Sequence, residues 1–287
     1  MSTPSTGPAT RPANDPIRDY VILLPPSEGK APGGDASRSW PDVAEDPRFN
    51  AFPELNPARL ALIQALHEVM QQPRPQLEKL FGVKGPRLDQ ALATNRQLPG
   101  GPLRPAMERY TGVMFEHLDY PGMPPALRQA FDRHALLFSG VWGLLRPTDW
   151  IPDYKLKMDA ILPATGRVSD FWKPRISGLL NPLVAGAVVW DLLPGIHRRA
   201  WDGQGKLAAR WQVKFVERVT QQGQSRLRTV SHWSKALKGA LVRFICQHRV
   251  TQPQALADFQ HPQGYRFSPE ASQMGPKGGT LVFIKEG

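Results

Sequence analysis

YVILLPPSEGK, residues 20–30, decides the fold class. Its first half, YVILL, is apolar throughout and rich in β-branched and aromatic side chains. A strand buried on both faces reads this way, because neither face alternates toward water. Pro25-Pro26 ends it, so Ser27-Glu28-Gly29-Lys30 is a loop at the end of a central strand. In open sheets such loops collect ligand chemistry. Glu28 is therefore a candidate general acid or base, and Lys30 a candidate anion clamp or nucleophile. The plainer reading of both is a salt-bridged surface loop.

Working outward, residues 185–192 (AGAVVWDL) form a second buried strand. Residues 211–219 and 227–231 alternate as an antiparallel pair around a turn at 221–224, and 264–267 and 280–285 are late strands. A helix over 58–71 buries Leu62, Leu66, Val69 and Met70 behind the start signal Asn56-Pro57. Another begins at Ser169-Asp170. Residues 31–54 are Gly/Pro/Asp-rich and irregular, whereas 109–120 and 136–147, dense in aromatics and glycine, line the core. The result is a mixed α/β (α+β) class: one compact domain over 19–287, with a central mixed sheet and surrounding helices, behind a disordered Ser/Thr/Pro tail at 1–18.

Residues 77–92 read as two short helices around Gly82-Val83-Lys84-Gly85, a helix–hairpin–helix-like element at about 75–95. In such an element the glycine turn bares backbone N–H groups and the second helix aims its N-terminus at a phosphate. Lys84 and Arg87 add charge there without reading sequence. An ordinary αα-turn gives the same pattern.

Residues 230–245 (VSHWSKALKGALVRFI) form a second basic element, a helix from near Ser234. Leu237, Ala240, Leu241, Phe244 and Ile245 make an apolar stripe. Lys235, Lys238, Gly239, Val242 and Arg243 fall on the opposite arc, with no acid between Ser231 and Ile245. That arc is either a solvated face or a cation surface on which Gly239 lets a partner approach the backbone.

The formal charge is +11 and the pI about 10.0, which favours polyanionic partners: nucleic acid first, then acidic surfaces or small anions. The single cysteine, Cys246, excludes an internal disulfide and a cysteine metal cluster. The N-terminus lacks the apolar core of a secretory signal, and no apolar run reaches the ~18 residues of a spanning helix, so a soluble cytoplasmic protein without a membrane partner is expected. Gly29-Lys30 is no phosphate loop: Leu24 replaces the required glycine and Ala31 the Ser or Thr that holds magnesium. His67-Glu68 lacks a second histidine, and no serine-hydrolase or dinucleotide motif is present. No metal site or cofactor is indicated.

The chain resembles the YaaA family of peroxide-stress proteins, in its PPSEGK-type branch. The resemblance rests on LLPPSEGK (23–30), RYTGVMFEHLD (109–119), SGVWGLLRPTDWIPDYKLKM (139–158), DFW (170–172), SHWSKALKGALVRFI (231–245) and GYRF (264–267). It implies a compact mixed α/β domain with a helix–hairpin–helix-like element and a positive cleft. It also implies DNA binding and protection of DNA from iron-driven oxidative damage. On this resemblance Lys235, Lys238, Gly239 and Arg243 match a basic-helix pattern, and Arg146, Asp149 and Tyr154 an R-P-x-D…P-Y pattern. Two departures stand out. PPSEGK replaces S-P-A-K-T, leaving Lys30 as the shared polar anchor, and DLLPGIH at 191–197 lacks the serine and tyrosine found in relatives.

Two functions follow as expectations. One is non-specific DNA binding through a basic cleft formed by the basic helix, the Gly82–Gly85 hairpin and Arg146. The other is an enzyme acting on a nucleobase, nucleoside or related small anion, with Lys30 in a pocket that Tyr154 and Ser231 help to form.

Overall fold

The structure, a computed structural model, describes residues 16–221, 224–229 and 232–286. Most of the N-terminal tail, Ser231 and the tip of the 221–224 turn lie outside the described residues. The packed chain begins earlier than the boundary at 19: Ile17 is buried and its N–H donates to the Leu183 carbonyl at 2.8 Å.

Eight strands, among the described residues, build one mixed sheet. They are β1 (Tyr20–Leu24), β2 (Ala135–Ser139), β3 (Gly143–Leu145), β4 (Val188–Asp191), β5 (Ala209–Gln221), β6 (Gln224–Thr229), β7 (Arg266–Gly275) and β8 (Gly278–Lys285). The order is β7-β8-β5-β4-β1-β2-β3, with β6 paired to β5 beside this path. β1 is parallel to β2 and β4, and β5 is parallel to β4 and β8. β3, β6 and β7 run antiparallel to their partners. All five residues of β1 are buried, as its unbroken apolar run requires.

The helices are α1 (Asn56–Val69), α2 (Arg74–Phe81), α3 (Pro86–Arg96), α4 (Val113–Leu118), α5 (Pro125–His134), α6 (Val168–Leu183) and α7 (His232–His248), with shorter turns between them. The stretch 31–54 is less irregular than its composition suggests. A single turn, Trp40–Val43, sits within it: Asp42 accepts from the backbone N–H and hydroxyl of Ser39, and Trp40 is buried.

The topology fixes where chemistry can gather. From β1 the chain runs to β2 on one side, and from β4 to β5 on the other. The carboxyl ends of β1 and β4 therefore flank a switch point, the usual crevice of an open sheet. The PPSEGK loop leaves β1 at this edge, and the Leu192 N–H, just after β4, donates to the Leu23 carbonyl at 3.1 Å. Ser139 ends the parallel strand β2 at the same edge.

Candidate functional site

Backbone pairing fixes the PPSEGK loop. Lys30 bridges Tyr110 in antiparallel fashion: Ala31 N–H donates to the Arg109 carbonyl at 2.8 Å and Thr111 N–H to that of Gly29 at 3.1 Å. Arg109 is fully buried and faces carbonyls rather than an acid. It donates to Ala31, to Gly33 at 3.0 Å, to Pro102 at 2.7 Å and to Ile151 at 3.2 Å. A buried cation satisfied this way ties its helix to the 31–33 loop, to Pro102 and to Ile151, and costs desolvation, which lowers its pKa.

Lys30 is crowded by protein. Its Nζ donates to the Ser27 carbonyl at 3.2 Å and lies 4.1 Å from the Tyr154 ring centroid and 5.9 Å from that of Tyr110. No carboxylate among the described residues is within ion-pair distance of it. Burial pushes its pKa down to about 8, partly opposed by the charge of Asp153. The ring beneath it belongs to a hydroxyl chain. Ser139 Oγ donates to Tyr154 OH at 2.8 Å, Tyr154 OH meets Tyr110 OH at 3.0 Å, and the Trp142 N–H donates to Ser139 Oγ at 3.0 Å. Burial raises the Tyr154 phenol to about 12 and the Tyr110 phenol well above its usual range, so both are neutral at physiological pH.

Glu28 is an ionised partner rather than a proton donor. Burial disfavours its charge, but the hydrogen bond from Lys155 Nζ at 3.1 Å and the charge of Lys157 at 3.6 Å outweigh that and hold its pKa low. It has no proton to give as a general acid at neutral pH. The salt-bridged reading of Glu28 describes its geometry, whereas Lys30 is half-buried against the Tyr154 ring.

The hairpin expected at 82–85 joins α2 to α3 and stands over this loop. Gly82 ends α2 at φ +64°, a left-handed conformation that favours glycine, and a Cβ there would lie 2.9 Å from Lys157 Nζ. Arg74 clamps the pair through Asp89 at 2.7 Å and the Gly85 carbonyl at 3.1 Å. Lys84 and Arg87 are exposed. A pocket of about 320 Å³ opens between hairpin and loop, lined by Glu28, Lys30, Arg87, Thr94, Asp153 and Tyr154 among others. Two segments separated by more than fifty residues thus share one wall-to-wall cavity.

The basic helix is placed differently from its sequence reading. In α7 Leu237, Leu241 and Ile245 of the apolar stripe are buried and Ala240 and Phe244 half-buried, but the opposite arc is packed too: Gly239 and Val242 are also buried. A Cβ on Gly239 would lie 2.2 Å from the Met114 carbonyl oxygen and 2.8 Å from the Leu118 nitrogen. The close backbone approach that glycine allows is therefore taken by the chain's own α4. Arg243 donates to the Asp119 and Gly122 carbonyls at 2.8 and 3.2 Å and pairs with Asp119 at 3.1 Å. Lys238 donates to the Leu192 carbonyl at 2.9 Å, and burial lowers its pKa. The acid absent from the helix comes from Asp119 in another segment. Lys235 alone of this group is exposed.

Arg146 is not part of the Lys30 cavity. It follows β3, which runs antiparallel to β2, so it stands at the opposite edge of the sheet. There it donates to the Arg133 carbonyl at 2.7 Å and lies 5.9 Å from the Phe52 ring. Asp149 is buried and accepts from the Arg146 and Ala51 N–H groups, both at 2.9 Å, so it holds its own turn and ties it to the distant 51–52 segment. Of the residues singled out in the sequence, the structure brings together Glu28, Lys30, Arg87 and Tyr154, with Lys84 at the adjoining turn. It separates these from Arg146. Tyr110, Ser139 and Lys155 complete the site but were not singled out. Their only sequence signal is membership of the conspicuous RYTG, SGVWG and PDYKLK segments.

Fold and site together define a mixed α/β protein with a pocket at the carboxyl edge of its sheet, in which Lys30, Arg87 and Lys155 stand with Glu28 and Asp153 beneath a pair of helices. The chain belongs to the YaaA family of peroxide stress proteins, whose description matches residues 20–271. It is similar to a UPF0246 protein of Streptomyces coelicolor, 31% identical over 270 residues, 93% of this chain and 99% of the relative. It is also similar to a UPF0246 protein of Corynebacterium efficiens, 32% identical over 228 residues, 78% of this chain and 84% of the relative. Membership supports a role in oxidative stress. No helix among the described residues is long and apolar enough to cross a membrane.

Proposed function

We propose that this chain is a cytoplasmic, non-specific DNA-binding protein of the peroxide response, and that the α2–α3 hairpin, rather than the arc of α7, meets the phosphates. The carrying observation is the joint cavity. Exposed Arg87 lines the pocket that holds Lys30, and exposed Lys84 follows Val83 of its lining in the adjoining turn, whereas Lys238 and Arg243 are engaged with their own chain. The net charge of +11 supplies the general attraction. Binding of a mixed-sequence duplex at several salt concentrations tests this. Each phosphate contact contributes about 0.9 to the slope of log affinity against log salt. The double variant Lys84→Ala/Arg87→Ala is expected to reduce the slope by about 2. An unchanged slope refutes the hairpin as the contact.

A second reading is favoured by the same cavity: an enzyme acting on a nucleobase, nucleoside or related small anion at Lys30. The half-buried amine over the Tyr154 ring supports it, because a lysine on a solvated loop has no such neighbour. Saturable protection of Lys30 from an amine-modifying reagent by a nucleotide, without duplex binding, distinguishes it from the first.

A further inference from the structure

We propose that Lys30 is an amine nucleophile that condenses with an aldehyde, of the kind exposed on a deoxyribose that has lost its base, to form an imine inside the pocket under the hairpin. The placement of DNA at the hairpin rests on the reading above; the amine chemistry rests on the pocket alone.

Three observations carry it. First, the cations around the cavity are not equivalent. Lys155 and Lys157 are both held by Glu28, while among the described residues Lys30 donates to one backbone carbonyl, that of Ser27. An amine kept protonated for structure is normally given a carboxylate; this one faces aromatic rings. Second, enclosure leaves it reactive. With a pKa of about 8, roughly one molecule in ten carries the free amine at pH 7, some three-hundredfold more than for an ordinary lysine. Desolvated lysines of this kind are the ones that form Schiff bases. Third, the ring beneath the amine begins the Tyr154–Ser139 and Tyr154–Tyr110 hydroxyl chain, whose neutral groups both donate and accept. Carbinolamine breakdown needs such proton exchange.

The step balances without any oxidant or reductant. The Nζ lone pair adds to the carbonyl carbon, and the carbonyl oxygen takes up a proton, giving a carbinolamine. Loss of the nitrogen proton and of the hydroxyl as water leaves a C=N bond and one water released. Hydrolysis reverses it. Arg87 on the wall and Lys84 at the turn are suited to the phosphates flanking a base-less sugar. The aldehyde then meets Lys30, which among the described residues lining the cavity is the amine without a carboxylate partner.

The test is reductive trapping. The full-length protein is incubated with a duplex oligonucleotide carrying one abasic site, or with glyoxylate, in the presence of sodium cyanoborohydride. Adducts are resolved by denaturing electrophoresis and mapped by peptide mass. The expected result is a DNA adduct on Lys30, lost in Lys30→Arg, which keeps the charge, and in Lys30→Met, while circular dichroism shows both variants folded. Duplex affinity is measured in parallel. Salt-dependent duplex binding without an adduct at Lys30 overturns the imine and leaves the binding reading standing. Trapping of glyoxylate but not of the abasic duplex at Lys30 overturns the assignment of the aldehyde to DNA. Adducts spread over surface lysines and persisting in Lys30→Arg overturn the proposal as well. Absence of both duplex binding and any adduct overturns both readings.

Discussion

Replacing Gly239 with alanine separates an open basic face from a packed one, because the two give opposite signs. On a solvated helix face the change removes a glycine from the interior of α7 and stabilises the protein by up to about 1 kcal/mol. In the structure the new Cβ meets the Met114 carbonyl oxygen at 2.2 Å, the Leu118 nitrogen at 2.8 Å and the His117 carbonyl carbon at 3.1 Å. Ordinary carbon–oxygen contact lies near 3.3 Å, so α4 and α7 must part by about 1 Å locally. The obstructing atoms are backbone on both sides, so no rotamer change relieves them. Overpacking of this kind costs about 1–3 kcal/mol, enough to exceed the propensity gain. Moving α4 also loosens the Arg243 contacts that close its carboxyl end. Urea unfolding followed by tryptophan fluorescence reads the result as a lowered midpoint. An unchanged or raised midpoint refutes the packing argument and returns Gly239 to a free face.

Two further outcomes follow from the same structure. Arg243→Ala removes donors to the Leu118, Asp119 and Gly122 carbonyls and should lower stability by about 1–3 kcal/mol, while leaving the salt slope of duplex binding unchanged; a changed slope without lost stability would make Arg243 a phosphate contact. For Lys30 the folded pKa, about 8, lies below the unfolded value of 10.5, so between these two pH values the unfolded chain binds the extra proton and stability rises with pH. The penalty is full below pH 8 and amounts to at most about 3 kcal/mol. The urea midpoint of the native protein should therefore gain on that of Lys30→Met between pH 7 and 10, and a constant gap would show that Lys30 is not desolvated.

The sheet was legible because burial on two faces leaves a local mark. β1 is an unbroken apolar run, β4 is apolar up to Asp191 at its end, and β5 alternates at period two over Ala209–Phe215; all can be read without knowing their neighbours, whereas residues 226–229 of β6 are exposed throughout. The hairpin was legible from two glycines flanking a two-residue turn between helical patterns. Half the site was legible in the same sense: a charged loop directly after a buried strand names Glu28 and Lys30. Tyr110 and Ser139 were not, since an aromatic or a serine in a dense apolar segment looks the same whether it fills a core or lines a pocket. The basic arc of α7 misled for a related reason. Sequence shows which residues share a helix face but not what stands opposite it, and the partners of that arc, Met114, Leu118 and Asp119, are more than a hundred residues away.

The sequence by itself determined the family, the mixed sheet, the loop that carries Lys30 and the basic charge, because each is written in local pattern or total composition. Only the tertiary structure decided which cations are available. It joined Lys30 to Arg87 across α3, gave Lys155 and Lys157 to Glu28, turned Lys238 and Arg243 inward, and set Arg146 at the far edge of the sheet. Availability of a charge depends on the distance to its nearest carboxylate, carbonyl or ring, and those partners are brought together by strand order and helix packing rather than by adjacency in the chain.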